Sequence, residues 1–186
     1  MDVLMHICCA PCSVACISSL RDEGIEPHGF WYNPNIHPVT EYRMRRDTLK
    51  EYAASVGMKL DINDTYGLRS FVASVISDLD GRCGYCYSVR MDETARYAAL
   101  NGFEYFTTTL LISPYQKHDL LKKTAEEAAA KYGVKFLYRD FRPLFKSGQE
   151  EARKLGLYMQ KYCGCIFSEE ERYRAKQMKR ERENRE

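Results

Sequence analysis

Eight cysteines stand in this 186-residue sequence, at positions 8, 9, 12, 16, 83, 86, 163 and 165. Seven of them fall in three tight groups, Cys8-Cys9-x-x-Cys12, Cys83-x-x-Cys86 and Cys163-x-Cys165. At about 4% of residues, cysteine is well short of the ~8–10% of a disulfide-stapled scaffold. Clustered thiols in an intracellular chain favour metal binding or redox chemistry over packing. An iron–sulfur cluster needs several thiolates brought to one point from separate segments. Cys83 and Cys86 sit at the mouth of an expected helix, whose N-terminal dipole and free N–H groups favour an anionic cluster. Cys8 and Cys9 would face opposite ways on a regular strand. In an irregular turn after a strand, which Ala10-Pro11 supplies, they can converge. Pairing Cys8 and Cys9 with Cys83 and Cys86 gives four thiolates.

Cys12, Cys163 and Cys165 are then left over. A second metal ion suits them, and so does a redox-active Cys163–Cys165 pair, whose one-residue spacing would make a disulfide strained and easily reduced. Cys16, one turn beyond Cys12, reads as a small buried apolar residue. The main rival is a structural zinc held by Cys83, Cys86, Cys163 and Cys165, which leaves Cys8, Cys9 and Cys12 without a role.

The elements that must position these thiols are readable from periodicity and breakers. Short apolar or aromatic runs at Val3–Ile7, Pro27–Tyr32, Met58–Ile62, Phe103–Leu111 and Val134–Tyr138 predict strands. Helices are expected over Ser13–Glu23, Thr40–Val56 with a Thr40 cap, Ser70–Leu79, Tyr87–Asn101, His118–Tyr132, Gln149–Leu155 and Ser168 onward. Glycines 24, 57, 102, 133 and 156 close five of them, and Ser168-Glu169-Glu170-Glu171 reads as a capping box. Strand and helix alternate, which calls for an α/β fold: one Rossmann-like domain over 1–186, a parallel sheet flanked by helices, with a helical C-terminus. Ligands in such folds bind beyond the carboxyl ends of strands. Cys8 and Cys9 follow the first strand, and Ser113-Pro114-Tyr115 follows the fourth.

Composition bounds the partners. With 45% hydrophobic and 29% charged residues the chain is an ordinary globular one. No apolar run reaches the ~20 residues of a membrane helix, and no signal-peptide pattern opens the sequence, so no membrane is expected and the cytoplasm is the expected compartment. Net charge is only +2, yet two basic stretches stand out: Arg43, Arg45 and Arg46, and the tail from Arg172 to Glu186 with seven Lys/Arg against three Glu. Either can meet phosphates, or be a solvated helix face.

The ordered motifs resemble one family. They are HICCAPC (His6–Cys12), YNPNIHP (Tyr32–Pro38), RCGYCY (Arg82–Tyr87), TTLLISPY (Thr108–Tyr115), Asp140-Phe141-Arg142 and YMQKYCGC (Tyr158–Cys165). Together they resemble the QueH-type epoxyqueuosine reductases across nearly the whole chain. The resemblance implies a fold like the adenine nucleotide alpha hydrolases. It implies the final step of queuosine synthesis, removal of the epoxide oxygen from epoxyqueuosine at the tRNA wobble base. It further implies a [4Fe-4S] cluster on Cys8, Cys9, Cys83 and Cys86, no cobalamin, and a role for Cys163 and Cys165 as a second iron site or a dithiol.

The chemistry needs two electrons and two protons, so an external electron donor is expected, as is a redox centre beside the cluster, formed by Cys163 and Cys165 with Cys12. Asp140 and His37 lie in the motifs as candidate iron ligands or proton carriers. Tyr32, Tyr115 and Tyr162 are candidates to stack on a splayed-out base, and Arg43 to bind tRNA. Two other readings are an ATP-using tRNA thiolase and a zinc-stabilised RNA-binding module. The first is disfavoured because Cys8-Cys9-Ala10-Pro11-Cys12 stands where such enzymes carry a Ser/Gly-rich phosphate loop.

Overall fold

Five short strands build one parallel sheet in the computed structural model, which describes residues 1–183 apart from the side chains of 179 and 182. The last three residues of the basic tail lie outside the described residues. The strands are β1 (Val3–His6), β2 (Pro27–Trp31), β3 (Leu60–Ile62), β4 (Tyr105–Thr108) and β5 (Lys135–Phe136), in the order β3-β2-β1-β4-β5. β1 is the centre, with His6 beside Phe30 on one flank and Thr108 on the other. All four of its residues are buried, as a parallel strand covered on both faces requires. The order reverses direction between β1 and β4. A crevice therefore opens beyond their carboxyl ends, the usual ligand position of a Rossmann-like sheet.

The helices are α1 (Ala10–Asp22), α2 (Val39–Ser55), α3 (Leu68–Val75), α4 (Arg82–Leu100), α5 (His118–Tyr132), α6 (Phe145–Lys154) and α7 (Ile166–Glu183). The right-handed crossover rule puts α1 and α2 on one face of the sheet and α4 and α5 on the other, in keeping with the α1–α2 and α4–α5 contacts. α1 packs on α2 and α6, and α4 packs on α5. α6 approaches α1 through Gly148, where a Cβ would come within 2.9 Å of the Ala15 Cβ.

Several boundaries differ from the sequence expectation. α1 begins at Ala10, three residues early, with Pro11 in the first turn, where a missing N–H leaves nothing unpaired. α4 begins at Arg82 rather than Tyr87, so Cys83 and Cys86 lie inside its first turns. α6 starts at Phe145 rather than Gln149. α2 starts at Val39 with Pro38 before it, and Thr40 caps nothing. α7 starts at Ile166, and the Ser168 hydroxyl donates to the Cys165 carbonyl at 2.7 Å instead of capping. The fourth strand stops at Thr108 because Thr109–Ile112 coils into a 3-10 turn, capped by Thr108 Oγ1 accepting from the Leu110 N–H at 3.2 Å.

Candidate metal centre and its cavity

The first sulfur group forms at the end of the central strand. Cys9 is the extended residue before α1 and Cys12 sits in that helix's first turn, so both face the helix N-terminus with Cys8. Their three Sγ atoms lie within 4.8 Å of one another, and those of Cys8 and Cys9 are 3.8 Å apart. Neighbours fix each thiol. The Cys8 N–H donates to Thr109 Oγ1 at 3.2 Å, and that hydroxyl donates to Cys8 Sγ at 3.5 Å. Gln160 Nε2 donates to Cys12 Sγ at 3.3 Å. Asn33 Nδ2 donates to the Ile7 carbonyl at 2.9 Å and braces the turn from below. Thiol donation from Cys12 and Cys9 holds Cys8 well below the usual thiol range. Burial pushes Cys9 up, and the bond it would lose to Cys8 pushes Cys12 up. Behind them His6 is held neutral, its pKa lowered to about 3 chiefly by burial.

The second group comes from remote segments. Cys86 and Cys165 are buried together with Phe71 and Val75, Cys83 is half-buried, and Cys163 is exposed. Arg90, one turn after Cys86, is fully buried, and its guanidinium donates to Cys86 Sγ at 3.0 Å and to the Cys86 carbonyl at 3.2 Å. Burial still pushes Cys86 up to about 12. The Cys163-Gly164-Cys165 loop is pinned by Arg45, which donates to the carbonyls of Tyr162 and Cys163 at 2.9 Å each and to Glu41 Oε1 at 2.7 Å. His37 adds its N–H to the Gly164 carbonyl at 2.8 Å, and its ring Nδ1 accepts the Ile166 N–H at 3.3 Å. Gly164 has φ 147°, and a Cβ there would stand 3.2 Å from Ile36 and 3.4 Å from Arg45, so only glycine fits.

Cys8, Cys12 and Cys163 open on one cavity of about 880 Å³, together with Thr109, Tyr115 and Gln160. Gln116 Nε2 reaches Cys163 Sγ across it at 3.5 Å. The other sequence candidates are dispersed. Tyr115 is on the cavity's lip, 84% exposed, edge-on to Phe145. Tyr162 also lines it, but its hydroxyl is taken by the His37 carbonyl. Tyr32 lines a separate cavity of about 110 Å³ that reaches Cys86 and Arg90. His37 is wholly buried behind the loop, as a brace. Arg43 is exposed on α2, away from both cavities, whereas Arg45 is buried and structural rather than free for phosphate. Asp140 is on the surface, paired with Arg142 at 2.6 Å and held at about 2 by that guanidinium, outside the cavity lining. Cys16 is fully buried in the core. Sequence reasoning missed Arg90, Thr109, Gln116 and Gln160, and misread Arg45. The four-residue step from Cys86 to Arg90, one helical turn, was the available signal.

The donor set fits a soft metal centre. Thiolates select zinc, copper(I) or iron–sulfur clusters. Arg90 has no carboxylate within 4.0 Å among the described residues, yet its charge acts on Cys86, Cys163 and Cys8. A buried unpaired cation costs several kcal/mol, which neutral thiols do not offset and metal-held thiolates would.

The fold and site therefore define a Rossmann-like protein whose switch point carries thiols suited to a metal. The family model described as Epoxyqueuosine reductase QueH matches residues 3–171. The chain is 38% identical to the epoxyqueuosine reductase QueH of Dehalococcoides mccartyi, over 92% of this chain and 94% of that protein. It is 35% identical to the Thermotoga maritima protein of the same name, over 89% of each. A crystal structure described as a predicted tRNA methyltransferase subunit from Methanocaldococcus jannaschii shares the fold, with a TM-score of 0.57 and 14% identity over 82% of this chain and 74% of that one. The chain belongs to the epoxyqueuosine reductase QueH family, a family of oxidoreductases. Among the described residues no helix is long and apolar enough to cross a membrane.

Proposed function

We propose that the chain reduces the epoxide of epoxyqueuosine, at the wobble position of tRNA, to the cyclopentene of queuosine, inside the cavity over Cys8, Cys12 and Cys163. The reaction consumes two electrons and two protons and releases the epoxide oxygen as water. The observation that carries this reading is the buried sulfur triad, its atoms within 4.8 Å of one another, opening on a cavity of about 880 Å³. A [4Fe-4S] cluster held by Cys8, Cys9, Cys83 and Cys86 would supply electrons singly, drawn from an external donor. Arg90, fully buried and donating to Cys86 Sγ at 3.0 Å, supports that ligand set because its positive charge would offset the negative charge of such a cluster.

Thr109 fixes the direction of the Cys8 thiol, and the amides of Gln160 and Gln116 hold Cys12 and Cys163 at the cavity. Cys163 lines the cavity while Cys165 packs with Cys86, which supports a reading in which this pair, with Cys12, acts as the second redox centre. A cytoplasmic setting fits a tRNA-acting enzyme.

The test is anaerobic purification with iron, sulfide and zinc quantified, followed by reduction of tRNA carrying epoxyqueuosine and mass analysis of the nucleoside. About four sulfides per chain and loss of one oxygen from the nucleoside are expected. More than about four irons identifies a second iron at the Cys163 side, and about four identifies a dithiol. Zinc without sulfide overturns the redox reading.

A further inference from the structure

The cavity wall carries cations that the protein does not neutralise. Lys146 and Arg153 on α6, Lys161 in the loop before α7 and Arg172 on α7 all line it, and all four are exposed. None has a carboxylate oxygen within 4.0 Å among the described residues. Their neighbours in sequence differ: Arg142, Lys154 and Arg174 are paired with Asp140, Glu151 and Glu170. Two carboxylates share the wall, and Glu171 is already taken by Arg82 at 2.6 Å, leaving Glu150. The wall is therefore net positive on a chain of net charge only +2. Lys146 and Arg153 are seven residues apart, two helical turns, so they stand on one face about 10 Å apart along the axis.

We infer that Lys146, Arg153, Lys161 and Arg172 receive the backbone phosphates of the single-stranded RNA that flanks the base held in the cavity. The inference rests on the proposed function and adds the docking face. A cavity of about 880 Å³ admits one extruded nucleoside and excludes a duplex, so the flanking strand must pass over its rim. The rim offers what such a strand needs: unpaired cations for phosphates, and the exposed Tyr115 ring for a base face. In the free protein the four cations repel one another, and phosphate removes that repulsion. The competing surface is the α2 face around Arg43, a residue that lines neither of the two cavities described above.

The experiment measures binding of full-length tRNA carrying epoxyqueuosine to the metal-loaded protein between 50 and 200 mM salt. Four single-strand phosphate contacts give a log–log slope of about −3, a weakening of roughly 50-fold across that range. Each of Lys146→Ala, Arg153→Ala, Lys161→Ala and Arg172→Ala lowers the slope by about 0.7, and the quadruple variant loses most of the salt dependence. Arg43→Ala leaves it unchanged. Iron content and the visible spectrum of the quadruple variant, both expected to match wild type, report that the fold persists. A wild-type slope that survives the quadruple substitution, or falls with Arg43→Ala instead, overturns this docking face and leaves the proposed function standing. A wild-type protein that does not bind the tRNA overturns both.

Discussion

The two sulfur groups are built in opposite ways. Cys8, Cys9 and Cys12 come from five consecutive positions after the central strand, and none is more than 8% exposed. Their backbone is fixed by ladders on both flanks of β1 and by Thr109. Cys83, Cys86, Cys163 and Cys165 come from two segments roughly 80 residues apart, and the later one is a loop held by Arg45 and His37. The first group is preassembled by the fold. The second exists only while a loop stays docked, so its geometry is the more sensitive to any change in the brace.

That contrast sets the order of expected effects. Cys8→Ser or Cys9→Ser should remove nearly all iron and sulfide, whereas the double variant Cys163→Ser/Cys165→Ser should keep the cluster largely intact and lose turnover. Iron and sulfide analysis beside a single-turnover assay decides it; loss of the cluster in the double variant breaks the proposed division of roles. Next is the brace. Arg45→Met leaves Glu41 buried without its cation and should cost about 3–5 kcal/mol in urea unfolding. In metal-free protein it should also expose Cys165, but not Cys9, to thiol reagents. Arg45→Lys should fail to restore the loop, because one ammonium cannot reach Glu41 and two carbonyls together.

A smaller effect comes from His37. Burial lowers its pKa to about 4, and Nδ1 must stay unprotonated to accept the Ile166 N–H. The unfolded chain takes up that proton below its ordinary value near 6.5, and the folded chain does so only near 4. Stability is therefore complete above about 6.5 and falls as pH drops toward 4, by up to about 1.4 kcal/mol per pH unit. His37→Asn should flatten this part of the stability profile of the metal-free protein; an unchanged slope removes His37 from the brace. Smallest is Tyr115→Ala, expected to raise KM for the tRNA about tenfold with little change in kcat, as loss of one stacked base predicts. A fall in kcat alone would move Tyr115 from docking to chemistry.

Helix ends were more legible than helix beginnings, and the reason is chemical. Gly24, Gly57, Gly102, Gly133 and Gly156 all have φ between 67° and 77°, a conformation glycine takes most readily, so the stop signal is written in the residue type. No side-chain cap opens α1, α2, α4 or α6, so no capping residue marks those starts, and Pro11 in the first turn of α1 is a weaker sign. The site shows the same division. Convergence of Cys8 and Cys9 was readable because a break had to follow β1. The closeness of Cys12 to them was not, since it depends on α1 starting at Ala10. Arg45 read as one of three arginines in a basic knot, and its burial depends on a loop more than 100 residues away, which local pattern does not encode.

The distance along the chain between the two halves of the second group also fixes an order of events during synthesis. At ~5–20 residues per second, the roughly 80 residues between Cys86 and Cys163 take about 4–16 seconds to appear. β1 and β2 precede that interval and β4 is completed early within it, so the sheet centre can form while Cys86 and the Arg90 guanidinium still lack the cover that Cys165 brings. Until the last loop has emerged and docked, Cys86 and Arg90 stay uncovered, so any centre that draws on Cys163 or Cys165 can be completed only once the C-terminal segment is made.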